Sequence, residues 1–167
     1  MRFILSLLLS LGLVSASTVA VYAMGESRMM QDTTIGKAAP DFTLDTLTQK
    51  NVNMTKYRDG KKAIIFFWAT WCPHCREQLR ELNATKDAIQ AKGVKIILVD
   101  FGEEFPEVQR YVERNKVNLE TFLDKDSTLA DPYRLIGVPT FYFVDEKGMV
   151  KQVTHALSED IEQFFKD

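Results

Sequence analysis

The sequence predicts an α/β fold, a central sheet flanked by helices with a pair of short strands in front. Three observations carry this expectation. The runs at residues 63–69 and 94–101 are apolar on both faces, as strands inside a parallel sheet are. Each is followed by a segment with apolar residues at helical spacing, so strand and helix alternate. The last two strands are joined by Asp145-Glu146-Lys147-Gly148, a hairpin turn that makes the sheet mixed.

The elements follow in chain order. Met1-Arg2 opens an apolar stretch without charge until Glu26. Residues 1–23 read as a secretory signal peptide or a retained N-terminal membrane anchor, since about 20 apolar residues also suffice to span a bilayer. Small-residue cleavage sites stand at Val14-Ser15-Ala16 and Val21-Tyr22-Ala23. No cysteine precedes Cys72, which excludes a lipid-modified N-terminal cysteine. Residues 24–36 are a linker, and residues 37–167 form the domain.

Within the domain, "PDFTL" and "NVNMT" predict two short strands around "DTLTQK". The strand at 63–69 runs into a helix with Pro73 in its first turn, where the missing N–H is no loss. Cys75, Leu79, Leu82 and Ile89 share its inward face, and Gly93 ends it. "VKIILVDF" is the next strand, and "EEFPEVQRYVERNKV" an amphipathic helix begun by acids and Pro106. A short helix over 127–135, the turn "IGVPT", strands "TFYFVD" and "MVKQVTHA", and a last helix capped by Ser158 complete the order. About 110 residues from Lys61 onward suffice for a real core.

Composition narrows the function. With 46% hydrophobic and 26% charged residues the chain is globular, and a net charge of -2 carries no sign of nucleic-acid binding. The chain has two cysteines, Cys72 and Cys75, separated by Pro73 and His74. Cys72 falls where strand gives way to helix. Free N–H groups and the partial positive charge of a helix N-terminus favour a thiolate there, so Cys72 is the expected nucleophile. Cys75, one turn on, is placed to resolve a mixed disulfide. A structural staple closing so short a loop would constrain little of the unfolded chain. Zinc would want four ligands, and only His74 and His155 accompany the cysteines, so no metal site is expected.

"FFWATWCPHC" resembles the thioredoxin superfamily, specifically the exported TlpA/ResA-like thiol-disulfide oxidoreductases. "APDFTL" at 39–44 and "GVPTFYFVDEKG" at 137–148 extend the likeness from about residue 36 to the C-terminus. The resemblance implies a thioredoxin fold with an N-terminal strand-pair extension, and reversible exchange with protein thiols and disulfides. It also implies no cofactor beyond the redox-active Cys72–Cys75 pair. By the same resemblance Pro139 of Val138-Pro139-Thr140 is cis and faces the cysteines, so that these three residues and Trp71 form the substrate-binding surface. Trp68, inside the strand, reads as core. Localisation is expected to be extracytoplasmic, in a periplasm or on the outer face of the cytoplasmic membrane. A membrane or exported electron donor or acceptor is the expected partner, and cytochrome c maturation or repair of oxidised exported proteins the expected role.

The sequence departs from the family pattern at the proton route. Thioredoxin proper has a buried acid where this chain has Phe66, and many TlpA/ResA-like members have a glutamate at the position of Gln78, with Glu77 alongside on another helical face. A common proline is replaced by Arg80. The acceptor for the Cys75 proton is therefore open. Pro73 and His74 also form the filling of DsbA-type oxidases; a protonated His74 would favour the Cys72 thiolate and raise the potential above thioredoxin's. Two other functions share parts of this pattern. A thiol peroxidase of the AhpC/TSA type shares "APDFTL" but needs a different cysteine setting. A copper-handling protein on this scaffold would use a wider cysteine spacing and a downstream histidine such as His155.

Overall fold

The computed structural model describes residues 34–158 and 160–166. The signal or anchor segment at 1–23 and nearly all of the 24–36 linker lie outside the described residues. Among those described, no helix is long and apolar enough to cross a membrane.

Among the described residues the first strands are an antiparallel pair, β1 (Thr43–Leu44) and β2 (Val52–Asn53). Helix α1 (Met54–Arg58) follows, then β3 (Lys62–Trp68), α2 (Pro73–Ala91), β4 (Val94–Phe101), α3 (Phe105–Arg114), β5 (Thr121–Asp124), β6 (Thr140–Val144) and β7 (Val150–Thr154). A 3-10 helix, Ile161–Phe165, closes the domain. The main sheet has the order β5-β4-β3-β6-β7. Strands β3, β4 and β5 are parallel, while β6 runs antiparallel to β3, and β7 to β6. This is the mixed sheet that strand–helix alternation and a closing hairpin demand.

Strand β3 lies at the centre because both its faces are apolar. Ile64, Phe66 and Trp68 point to one face with Ile96, Leu98, Phe141 and Phe143, under Cys75, Leu79, Leu82 and Ile89 of α2 and Val108 of α3. Ala63, Ile65 and Phe67 point to the other, covered by Phe42, Met54, Leu129 and Tyr133. Burying each large side chain here stabilises by roughly 1.5–3 kcal/mol relative to exposure. Phe66 stacks on Phe141 with ring centroids 4.1 Å apart, so the position where thioredoxin proper has an acid is filled by packing. Gly93, at φ 77°, provides the left-handed turn that releases α2 into β4.

The structure corrects four expectations. "NVNMT" yields only a two-residue strand, because the Asn53 side chain accepts the Lys56 N–H and caps α1 at once. Strand β5 was not foreseen; its four residues are too few to show a period. Residues 127–135 form consecutive turns, not a helix. Asp124 there accepts the backbone N–H groups of Thr128 and Leu129, Pro132 lacks an N–H, and Ser127 and Arg134 bracket the stretch at positive φ. At the C-terminus the cap is Asp160, which accepts from Glu162 N–H, while Ser158 Oγ accepts from the Gln163 amide.

The strand-pair extension is joined to the sheet edge. Leu47 N–H donates to Thr121 O at 3.0 Å, and Leu123 N–H to Asp45 O at 2.9 Å. Phe42 and Tyr57 set their rings against Phe122.

Candidate active site

The cysteine pair sits at the C-terminal end of β3. The chain leaves the sheet through Ala69, Thr70 and Trp71, and Cys72 then serves as the N-cap of α2. Its φ of -85° and ψ of 112° are extended, and Pro73 takes the first helical position, as the sequence predicts. Cys72 Sγ accepts the Cys75 N–H at 3.2 Å, so the helix offers a donor to the very atom that carries charge when reduced.

The two sulfurs are joined as a disulfide, with the Cα atoms 5.2 Å apart. Their exposure differs: Cys72 retains 5% of its surface and Cys75 none. A partner can approach Cys72 only, while Cys75 faces inward beside Leu79. His74 and Pro73 are exposed in the first turn.

The Val138–Pro139 peptide bond is cis. Its loop lies against the disulfide, with Val138 O 3.7 Å from Cys72 Sγ. Behind it, Thr140 Oγ1 donates to Gly137 O at 2.7 Å, and His155 Nδ1 stands 2.9 Å from Pro139 O and 3.3 Å from Thr140 Oγ1. The Pro139 carbonyl only accepts, and the Thr140 hydroxyl proton is committed to Gly137. Nδ1 of His155 must therefore carry the hydrogen. His155, in sequence only a candidate downstream metal ligand, braces the loop that faces Cys72.

Trp71 is 65% exposed, whereas Trp68 is fully buried. Ile136, two residues before Val138, is 93% exposed. It too was missed, since burial of a single turn residue has no sequence signal. Gln78 does not reach toward the sulfurs with both ends: its Oε1 accepts the Leu157 N–H and its amide donates to Glu81 at 3.5 Å. Glu77 is exposed.

An acidic pair stands near the same end of the sheet. The Glu103 carboxylate accepts both the N–H and the hydroxyl of Thr70, each at 2.5 Å, and so holds the turn that leads to Cys72. Asp100 is fully buried and pairs in register with Trp68. Trp68 Nε1 has no hydrogen-bond partner among the described residues, and the carboxyl and backbone of Glu103 act on the Asp100 carboxyl. Burial, then the neighbouring Glu103 carboxyl, push the Asp100 carboxyl up to about 9. No local pattern in the sequence singles out Asp100, which lies one residue before the end of β4. Among the described residues no cluster of three or more His, Cys, Asp or Glu is placed to hold a metal.

The profile described as the AhpC/TSA family matches residues 35–153. The chain is 31% identical over 131 residues to the thiol-disulfide oxidoreductase ResA of Geobacillus thermodenitrificans, covering 77% of this chain and 75% of that one. To ResA of Bacillus cereus it is 29% identical over 167 residues, covering 99% and 93%. The fold is shared with the crystallised thioredoxin domain of a thiol-disulfide oxidoreductase from Bacteroides vulgatus. There the TM-score is 0.69 at 25% identity, covering 79% of this chain and 98% of that domain.

Proposed function

Because this chain belongs to the AhpC/TSA family and, within it, is a ResA-like thiol-disulfide oxidoreductase, we propose that it exchanges electrons with protein thiols and disulfides through Cys72, with Cys75 as the resolving thiol. The observation that carries this reading is the asymmetric pair at the head of α2: a helix-capping sulfur with residual exposure and a sealed sulfur bonded to it.

Reduction begins when a partner thiolate attacks Cys72 Sγ and displaces Cys75. A second partner thiolate then releases Cys72, and the partner leaves as a disulfide. Run in reverse, the Cys72 thiolate opens a partner disulfide and Cys75 releases the partner. The backbone at Val138 offers an edge with which an extended substrate segment pairs, and the exposed Trp71 and Ile136 offer apolar contact. Pro73 and His74 set the direction of exchange. The apolar stretch that follows Arg2, without charge until Glu26, supports action outside the cytoplasm, with a membrane or exported electron partner, in reductive work such as cytochrome c maturation or repair of oxidised exported proteins.

Trapping tests the assignment. Cys75→Ala should accumulate protein partners bound through Cys72, released by a small thiol; Cys72→Ala should trap none. Absence of adducts with Cys75→Ala contradicts the assigned roles. The family description keeps one other reading in view, peroxide reduction; consumption of hydrogen peroxide at rates comparable to disulfide exchange would favour it. Against copper handling stands the two-residue spacing of Cys72 and Cys75, narrower than the spacing such proteins use.

A further inference from the structure

The route of the Cys75 proton has no occupant at Phe66, Gln78 or Glu77, and the structure offers one elsewhere. Ile96 and Leu98 of β4 lie on the sheet face that buries Cys72, Cys75 and Trp68. Alternation puts Asp100 on that same face, at the strand end where α2 starts. Helix α2 packs directly on β4. The Asp100 side chain is sealed from solvent, and the neighbour that acts on it most is another acid, Glu103. A buried carboxyl whose neighbour is a second acid is rare and costly, so one on the sheet face that buries a thiol pair calls for a reason.

The groups that face it are few. Glu103, from the following loop, stands beside it and is tied to Thr70. Asp124, from β5, is occupied by Thr128 and Leu129. Tyr111 of α3 lies against Trp68, with Arg76 and Arg80 of α2 near it. No salt bridge reaches Asp100 among the described residues. Two acids and no paired cation keep a proton on Asp100.

We propose that Asp100 is the proton store of the cysteine pair, giving its proton to Cys75 when the disulfide opens and recovering it when Cys75 attacks. The proposal rests on the dithiol reading above. When a partner thiolate forms a bond to Cys72 Sγ, the Cys72–Cys75 bond breaks and its electron pair leaves on Cys75. That thiolate takes the Asp100 proton, leaving a thiol and a carboxylate. In the reverse half, the Cys75 thiol returns the proton to Asp100, its thiolate bonds to Cys72 Sγ, and the partner's sulfur leaves as a thiolate. No other reagent is needed, since the two electrons come from and go to partner dithiols. The Asp100 carboxyl, held near 9, is matched to a thiol's proton affinity, the condition for efficient transfer.

A two-phase reaction tests this. The reduced full chain is mixed with one equivalent of 5,5′-dithiobis(2-nitrobenzoate). The first nitrothiobenzoate release reads attack by Cys72, and the second reads attack by Cys75. In Asp100→Asn the first phase should hold within about twofold. The second should slow on the order of 10²-fold near pH 7 and recover at high pH, where hydroxide takes the proton directly. An unchanged second phase, in rate and pH profile, overturns the proposal. Glu103→Gln is the second line: by removing the neighbouring acid it should move the pH inflection of the second phase downward, and an unmoved inflection counts against Asp100. Wild-type protein lacking a second phase would overturn the dithiol reading itself, and the proposal with it.

Discussion

At the scale of residues, position decides chemistry more than identity does. Cys72 and Cys75 differ only in which end of a helix turn they occupy, yet one caps the helix and the other is sealed beneath it. Their spacing made both legible in the sequence. Asp100, His155 and Ile136 were not legible, because each depends on what a distant segment brings against it. Asp100 also has a consequence for stability. Its carboxyl is raised from the ordinary range near 4 to about 9 in the folded chain, chiefly by burial. Between those values the folded state holds a proton that the unfolded state has released, so stability falls as pH rises through the window. Wild-type protein should therefore lose stability to urea progressively from about pH 5 to pH 9, and Asp100→Asn should lose less. Parallel curves for the two proteins would contradict an Asp100 that is protonated at neutral pH.

Elements were read well where they were long and buried. Strand β4 was expected at 94–101 and is found there, and α2 ends at its glycine as the spacing requires. The short pieces escaped: β5 has four residues, α1 is started by a side-chain cap inside an expected strand, and the turns after Asp124 replaced a helix. In each case a few hydrogen bonds outweighed local propensity. Strand β3 shows the opposite limit, where packing leaves no freedom. Its Phe66 is fully buried and stacked on Phe141. Phe66→Asp, which restores the acid of thioredoxin proper at that position, should cost at least roughly 3–5 kcal/mol of stability by urea unfolding, from lost packing and a buried charge. A change below about 1 kcal/mol would show that this face is already wet.

On the scale of the whole molecule, the domain is a redox head whose proposed working face is the head of α2 and the cis-proline loop, with the exposed Trp71 and Ile136 next to them in the chain. The fold class and cysteine pair were readable because strand alternation and a four-residue motif are both local signals. The proton route was not, since it crosses from β4 to α2. Residues 1–23 give the whole chain its expected address. Alkaline phosphatase fused to the C-terminus of the full chain should be active in a bacterial host, and lose that activity when residues 1–23 are deleted; equal activity of both fusions would contradict export. The central claim is that Cys72 and Cys75 form one exchangeable couple, and redox titration in glutathione buffers tests it most directly. The expected result is a single two-electron transition, abolished in Cys72→Ala, with a midpoint above thioredoxin's, about -270 mV, and below about -120 mV. A pair that stays oxidised across that whole range would contradict a working couple, and a midpoint at or below thioredoxin's would remove the role assigned to His74.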